Sequence, residues 1–338
     1  MSFSGRFFIN PESIMLNKSI LCLLLGLLTL LSACSENKIA LNTVTHANTG
    51  SYSAAISADL KYLMTGAIGG FGRVWDLAEN RVLFSLQHQN GDDGGITAAA
   101  FSERSEIVVT MEPQSLARWR VSSGKLIGYW SWPNLTDIDV SADGRYALIG
   151  SRDNQAVYFD MQEGKMLYVF PHHEKVTSVS LSKDGRYALT GSNDWHASLW
   201  DLKNGEHLWS KNMKYKISLV ALSDDGEYAL ANAFIGETHI YKTQGKGRLL
   251  AKLDDKKMTI VSADFSDNGR ILAAGRAAKS IDIWDVNTGK RSETWRPKVK
   301  HLVQPDSATI LALRLDANAK TLISESSTGI GQSWALKP

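Results

Sequence analysis

The residues best suited to chemistry lie close together in residues 171–200. His172 and Asp194 could form an imidazole–carboxylate pair of the kind that serves general acid–base catalysis. Metal binding is a poorer interpretation, because His172 and His173 are adjacent and point opposite ways on an extended chain. The stretch also lacks the spacing of a zinc-binding helix. Whether the pair is catalytic or structural depends on the elements that position it.

Other catalytic signatures do not occur in the sequence. No serine lies in a G-x-S-x-G motif, and the glycine-rich segments 69–72 and 245–248 lack the Walker spacing for phosphate binding. The neighbouring acids at 92–93, 224–225 and 254–255 fall in predicted turns, where solvated carboxylates are expected. The sequence therefore predicts no catalytic residue, no metal and no cofactor.

The composition indicates a large folded domain. The chain has 338 residues, of which 43% are hydrophobic and 21% are charged, and its formal net charge is +2. The hydrophobic fraction argues against disorder. So small a net charge gives no reason to expect nucleic-acid binding.

The N-terminal residues have the pattern of an export signal. Lys18 precedes the apolar residues 20–31, a run shorter than the roughly 20 residues of a membrane span. The sequence LSAC that follows, at residues 31–34, resembles the lipobox of bacterial lipoproteins. The resemblance implies cleavage before Cys34 and lipid on its sulfur and amine, so residues 1–33 are predicted to be the signal peptide. Met15 is the more natural start. An ordinary secretory signal with an incidental cysteine is the alternative.

The same resemblance implies a cellular address. The residue after Cys34 is Ser35 rather than aspartate, which in that family favours the outer membrane. A bacterial outer-membrane lipoprotein facing the periplasm is therefore expected. Residues 34–38 would be a short tether, which at about 3.5 Å per residue holds the domain roughly 15–20 Å from its anchor. Cys22 would leave with the signal, so thiol catalysis is not expected of the mature chain.

Seven aromatic residues recur at nearly constant spacing between residues 39 and 338. Each lies 17 or 18 residues after the start of a turn such as Ser182-Lys183-Asp184-Gly185, and successive aromatics are 40 to 50 residues apart. So constant a register indicates an internal repeat. The seven aromatics are Trp75, Trp119, Phe159, Trp200, Tyr241, Trp284 and Trp334.

Each repeat predicts four short strands. In the fourth repeat, residues 176–182 alternate apolar and polar side chains, and residues 186–191, 197–201 and 206–210 predict three further strands. Asp-Gly and Asn-Gly pairs between them supply the chemistry of hairpin turns. The sequence therefore predicts an all-β fold of seven similar units.

Tryptophan–aspartate pairs at 75–76, 200–201 and 284–285 give the repeats their resemblance to the WD40 family, over residues 39–338. The resemblance implies a seven-bladed β-propeller, with four-stranded blades around a central channel. The last repeat has no fourth strand after its aromatic residue. Residues 39–48 alternate like a strand, and they are predicted to complete the last blade and close the ring without an open edge.

The WD40 resemblance also implies a buried tetrad in the fourth blade. His172, Thr190, Asp194 and Trp200 occupy the matching positions. A buried aspartate is costly unless its charge accepts good hydrogen bonds, which the other three side chains would supply. His172 and Asp194 are therefore predicted to be structural. Only two of the seven repeats keep the aspartate, so the repeat is divergent.

A second set of residues is not needed by the tetrad and is predicted to form an interaction surface. Most lie in loops between second and third strands, which in the family share a rim with the blade-to-blade connections. Exposed aromatics there would anchor a protein or stack on a sugar; inward packing and neutral loop drift are the alternatives. The set is Phe71, Trp195, His196, Phe234, Arg296, Lys298 and Lys300.

Two functions are compatible with these patterns. The first is a lipid-anchored, monomeric, non-catalytic scaffold that docks envelope proteins on its rim. The second is an enzyme, or a sensor of a small ligand or glycan, with its site at the mouth of the central channel. Such sites need converging carboxylates, histidines or a metal, and the sequence shows none at matched positions of the blades. The sequence therefore favours the scaffold.

Overall fold

The turn that recurs between the first two strands of the blades is built by its own side chains. In the third blade the Ser141 hydroxyl donates to Asp143 at 2.6 Å and accepts the Tyr146 amide at 2.9 Å. Gly144 has a φ of +68°, which glycine adopts without strain. These residues therefore set where the chain reverses between the two strands.

The computed structural model describes residues 38–67, 71–88, 95–253, 259–298 and 308–336. Ile39–Pro338 form one compact unit, and of Met1–Lys38 only Lys38 is described. Within the described residues no helix is long and apolar enough to cross a membrane. Secondary structure there consists of strands and turns.

Twenty-eight strands form seven blades of four. Blade 1 contains β2 (Ser51–Ile56), β3 (Tyr62–Ala67), β4 (Gly72–Asp76) and β5 (Arg81–Leu86). Blade 2 contains β6 (Ala98–Phe101), β7 (Ile107–Glu112), β8 (Ser115–Arg120) and β9 (Lys125–Ser131). Blade 3 contains β10 (Leu135–Val140), β11 (Tyr146–Ser151), β12 (Gln155–Asp160) and β13 (Lys165–Pro171). Blade 4 contains β14 (Val176–Leu181), β15 (Tyr187–Ser192), β16 (His196–Asp201) and β17 (His207–Asn212).

The remaining blades follow the same plan. Blade 5 contains β18 (Ile217–Leu222), β19 (Tyr228–Ala233), β20 (Thr238–Lys242) and β21 (Leu249–Lys252). Blade 6 contains β22 (Ile260–Phe265), β23 (Ile271–Arg276), β24 (Ile281–Asp285) and β25 (Lys290–Trp295). Blade 7 contains β26 (Ile310–Leu315), β27 (Thr321–Ser326), β28 (Ile330–Ala335) and β1 (Asn42–Thr45). The predicted seven-bladed β-propeller is confirmed.

The N-terminal strand closes the ring, as predicted. β1 pairs with β28 in antiparallel register from Asn42 opposite Ser333 to Thr45 opposite Ile330, and blade 7 has the order β1-β28-β27-β26. Beside this pairing, His46 Nδ1 lies 2.8 Å from a carboxylate oxygen of Glu325, with both side chains buried. The first and last repeats are therefore held together by strand pairing and by one buried polar contact.

The innermost strands of the blades surround the channel, and each has one edge that no strand pairs. Side chains of the preceding blade accept some of the free amides on these edges. Asp139 accepts the Leu181 amide at 2.8 Å, and Ser180 accepts the Leu222 amide at 3.0 Å. These contacts satisfy backbone donors that would otherwise face the channel without a protein partner.

The turns and connections form two rims. The upper rim, as we define it, contains the second-to-third-strand turns and the blade-to-blade connections. The lower rim contains the other two sets of turns. The core lies between neighbouring blades: Leu189 and Trp209 of blade 4 pack in one buried cluster with Ile217, Val220 and Tyr241 of blade 5.

Glycines on the second strands allow neighbouring blades to approach closely. A Cβ placed on Gly191 would lie 2.4 Å from a methyl carbon of Ile217 and 2.8 Å from one of Val220. Gly66 and Gly275 occupy the same position in blades 1 and 6. A Cβ on Gly66 would lie 2.3 Å from the Ile96 carbonyl oxygen, and a Cβ on Gly275 would lie 2.7 Å from a methyl carbon of Ile310 in blade 7. A side chain at these positions would therefore separate the blades.

We expect Gly191→Ala to lower the free energy of unfolding by about 1–3 kcal/mol, because the new methyl overpacks the contact between blades 4 and 5. Urea unfolding measures the change. Ile217→Ala removes the atom that the new methyl would meet, so the double variant should lose less than the two single changes together. Leu272→Ala, a buried change in blade 6, should instead be additive with Gly191→Ala. If the losses of stability are additive both for Gly191→Ala with Ile217→Ala and for Gly191→Ala with Leu272→Ala, the proposed contact is wrong.

Candidate functional site

The fourth-blade tetrad is assembled in the structure. His172 Nδ1 lies 3.0 Å from an oxygen of Asp194, and His172 Nε2 lies 2.7 Å from the Thr190 hydroxyl. The indole nitrogen of Trp200 donates to the same hydroxyl at 2.9 Å. Burial lowers the pKa of His172 against the opposing effect of Asp194. Both ring nitrogens of His172 are engaged inside the blade, which favours a structural role.

Asp194 is held by several donors. Burial acts to raise its pKa, but the backbone amides of His173 and His196 and the ring of His172 together lower it. The two amide contacts measure 2.9 Å and 3.0 Å. The carboxylate therefore fixes the turn that carries Trp195.

Blade 2 has a related network that the sequence did not reveal. His88 contacts the Thr110 hydroxyl at 2.8 Å and the Ser115 hydroxyl at 2.6 Å, and Trp119 donates to Thr110 at 2.8 Å. Burial lowers the pKa of His88 to about 4. Pro113 occupies the aspartate position of this repeat, and Ser115 contacts His88 in place of the acid, so a search for aspartate misses this network.

The seven repeat aromatics lie on the third strands of their blades. Six are buried, and Trp75 is half-buried. Trp75 and Trp334 each donate to a hydroxyl on the second strand, at 3.1 Å and 3.0 Å. The side chains predicted to be structural thus lie inside the blades, and the surface has to be sought elsewhere.

Four large apolar side chains are exposed together on the upper rim at blades 4 and 5. The connection between the blades joins them, because the Met213 amide donates to the Trp195 carbonyl at 2.8 Å and the Phe234 amide donates to the Lys216 carbonyl at 2.7 Å. We call this set the blade 4–5 patch. Its members, with their exposed fractions, are Trp195 at 48%, Tyr215 at 56%, Phe234 at 51% and Ile235 at 52%.

The other predicted surface residues are not among the large exposed apolar side chains of this patch. Phe71 is 44% exposed but belongs to blade 1. His196 is half-buried, and its ring contacts the Asp194 carbonyl at 2.9 Å and the Asn212 amide at 3.3 Å. Arg296 and Lys298 are exposed on the connection between blades 6 and 7, and Lys300 lies outside the described residues.

Tyr215 and Ile235 were missed as surface residues. Tyr215 lies in a short connection of ordinary length, and Ile235 occupies the position where the repeat would have its buried aspartate. The available signal was a bulky apolar residue in a turn that normally carries polar or small residues. That signal identifies both positions once the turns are placed.

The backbone of the patch has bulky residues in a region that favours glycine. Trp195 has a φ of +75° and Ile235 a φ of +54°. At the position of Trp195, Gly329 of blade 7 has a φ of +73° and Asn154 of blade 3 a φ of +62°. A bulky or β-branched residue in this conformation costs on the order of 1–3 kcal/mol. About half of the surface of each side chain nevertheless stays exposed.

The channel contains charged side chains that the sequence analysis did not bring together. Arg314 of blade 7 contacts Asp264 of blade 6 at 3.1 Å, Asp224 of blade 5 at 3.0 Å and Glu103 of blade 2 at 3.5 Å. The charge of Asp264 raises the pKa of Arg314, and burial opposes this effect. Acids therefore converge at the channel, although the sequence analysis found none at matched positions of the blades.

Two acids that line the channel, Asp137 and Asp264, accept backbone amides of the next blade. Asp137 accepts the Val179 amide at 2.9 Å, and Asp264 accepts the Leu315 amide at 2.7 Å. Burial raises the pKa of Asp137 to about 7 and that of Asp264 to about 6. In the described part of the chain, no group of three His, Cys, Asp or Glu side chains is arranged to hold a metal ion.

Comparison with known proteins agrees with the fold. Residues 164–201 match the family described as WD domain, G-beta repeat. This segment contains the Thr190, Asp194 and Trp200 side chains of the tetrad. No curated protein matches the chain. The structure is thus a seven-bladed propeller consistent with the WD40 type.

Asp137 is expected to make the stability of the fold depend on pH. Its pKa is higher in the folded chain than in the unfolded chain, so its stabilising effect is full below about pH 4 and is lost as the pH rises toward 7. Asp137→Asn removes this dependence and keeps an acceptor for Val179. Between pH 4 and pH 8, the free energy of unfolding of the variant should rise relative to that of the wild type by on the order of 2 kcal/mol, after allowance for screening by channel water.

Urea unfolding across that pH range measures this effect. Glu79→Gln, an exposed change on the lower rim, is the control and should give parallel profiles. If Asp137→Asn also runs parallel to the wild type, the raised pKa is wrong.

Proposed function

We propose that this protein is a non-catalytic scaffold that docks a partner protein on its upper rim, with the blade 4–5 patch as the contact surface. One observation carries the proposal: four large apolar side chains are exposed side by side, and two of them are held in an unfavourable backbone conformation. WD40 propellers are typically protein-interaction scaffolds. The position of the patch in turns above a rigid ring suits that role.

The energetics of the patch favour binding. Burying an aromatic or large aliphatic side chain contributes about 1.5–3 kcal/mol, so two such anchors could dominate a modest interface. The turn of Trp195 is fixed by Asp194, which accepts the amides of His173 and His196. A fixed turn limits the conformational entropy that Trp195 would lose on binding.

We further propose that the scaffold is tethered to the bacterial outer membrane by lipid on Cys34 and faces the periplasm. The lipobox-like sequence supports this proposal. The direction of β1 adds a consequence, because the Leu41 amide donates to Ser333 at the lower-rim end of β28. The chain therefore enters the propeller at its lower rim, on the side opposite the blade 4–5 patch.

The second candidate is an enzyme or small-ligand sensor at the channel mouth, which the raised pKa values of Asp137 and Asp264 favour. The contacts of these acids weigh against it. Each accepts a backbone amide from the next blade, and Asp264 is also paired with Arg314. Groups with these partners are less free to act on a substrate, and the rim patch remains the better site.

Cross-linking in cells tests the docking surface. A photo-reactive residue at Trp195 should capture a specific envelope protein, identified by mass spectrometry, because Trp195 would lie inside the interface. The same residue at Lys203, exposed on the lower rim, should not capture that protein. Absence of an adduct at both positions would contradict the rim proposal and favour the channel mouth.

Fractionation of cells tests the anchor. Wild-type protein should sediment with outer membranes, whereas Cys34→Ser should be released into a soluble fraction or retain its signal, because the lipid acceptor is lost. Cys22→Ser changes a cysteine within the predicted signal and should fractionate like the wild type. A Cys34→Ser protein that is processed and still sediments with outer membranes would show that the tether is something other than lipid on Cys34.

A further inference from the structure

We infer that the partner presents an acidic segment with bulky apolar side chains to the blade 4–5 patch. This inference rests on the proposed docking function and specifies its partner. It comes from the charges that surround the exposed apolar groups.

Three exposed lysines flank the patch. Lys175 is fixed beside the Trp195 turn, because its carbonyl accepts the Asn193 amide at 3.0 Å. Lys214 and Lys216 lie on either side of Tyr215. Among the described residues, none of the three ammonium groups forms an ion pair. Their charges are therefore available to a partner.

The acids beside these lysines are largely engaged by other groups. Asp194 accepts the His173 and His196 amides and contacts the His172 ring at 3.0 Å. Glu237 contacts Lys252 at 3.0 Å and His239 at 2.7 Å, and these partners lower its pKa. Glu174 is the one exposed acid next to the lysines without an ion-pair partner among the described residues. Positive charge therefore exceeds negative charge around the patch.

The amount of positive charge decides between possible anions. Nucleic acid or an anionic membrane surface would use the lysines, and Trp195, Tyr215 and Phe234 offer aromatic faces to bases. Three lysines are nevertheless few for binding to a polyanion by charge alone, and the whole chain has a net charge of only +2. Carboxylates for the lysines and apolar anchors for Trp195 and Phe234 occur together in an acidic protein segment.

Selection from a phage library of random peptides, on the immobilised full propeller, tests the inference. Enriched peptides should carry net negative charge and at least one aromatic or branched aliphatic residue. They should bind the double variant Lys214→Glu and Lys216→Glu about tenfold more weakly, because two attractions become repulsions. Lys203→Glu with Lys246→Glu, both exposed on the lower rim, is the matched control and should bind like the wild type.

Several outcomes would overturn the inference. Enriched peptides without excess acid, equal binding to the Lys214→Glu and Lys216→Glu variant, or no enrichment over a Trp195→Ala and Phe234→Ala protein would each do so. If oligo-dT or phosphatidylglycerol vesicles instead bind more tightly than the enriched peptides and lose this binding in the Lys214→Glu and Lys216→Glu variant, that result would reassign the surface to nucleic acid or membrane. If cross-linking through position 195 is unchanged by Lys214→Glu and Lys216→Glu, the docking function stands and the inference of an acidic partner is wrong.

Discussion

The fold depends on satisfying the free edges of seven inner strands that face one channel. Each such edge carries amides that no neighbouring strand can accept, and an unpaired buried amide costs about 1–3 kcal/mol. Between blades 3 and 4, Asp137 and Asp139 accept the amides of Val179 and Leu181. Between blades 4 and 5, serines do the same with neutral hydroxyls. At these junctions, side chains at two recurring positions of the inner strand thus link one blade to the next.

This constraint explains why the channel is polar without being an evident reaction site. Carboxylates that accept backbone amides must remain in place for the blades to stay in register, and Arg314 balances part of their charge across the lower mouth. The upper-rim turns do not have to supply acceptors for the inner-strand amides of the next blade. Their sequences differ from blade to blade, so function can change there while the ring is preserved.

The sequence predicted the parts of the fold that depend on local order. Turn chemistry and aromatic spacing repeat along the chain, so the number of blades and the closing strand β1 were predictable. The blade 4 contacts of His172, Thr190 and Trp200 lie within one repeat and match the pattern of the family. The cluster around Arg314 was not predictable, because its partners belong to blades 2, 5 and 6 and meet only when the ring closes.

The patch also shows where the molecule departs from its own repeat. A glycine at the position of Trp195 would relieve the strained turn, as Gly329 does in blade 7 with a φ of +73°. A large aromatic there sacrifices stability and leaves about half of its own surface exposed. In the next blade Ile235 is also an exposed apolar residue in a left-handed backbone conformation, one position earlier in its turn. Two neighbouring turns that both place apolar side chains outward in left-handed backbone conformations are better explained by a shared contact with a partner than by the requirements of the ring.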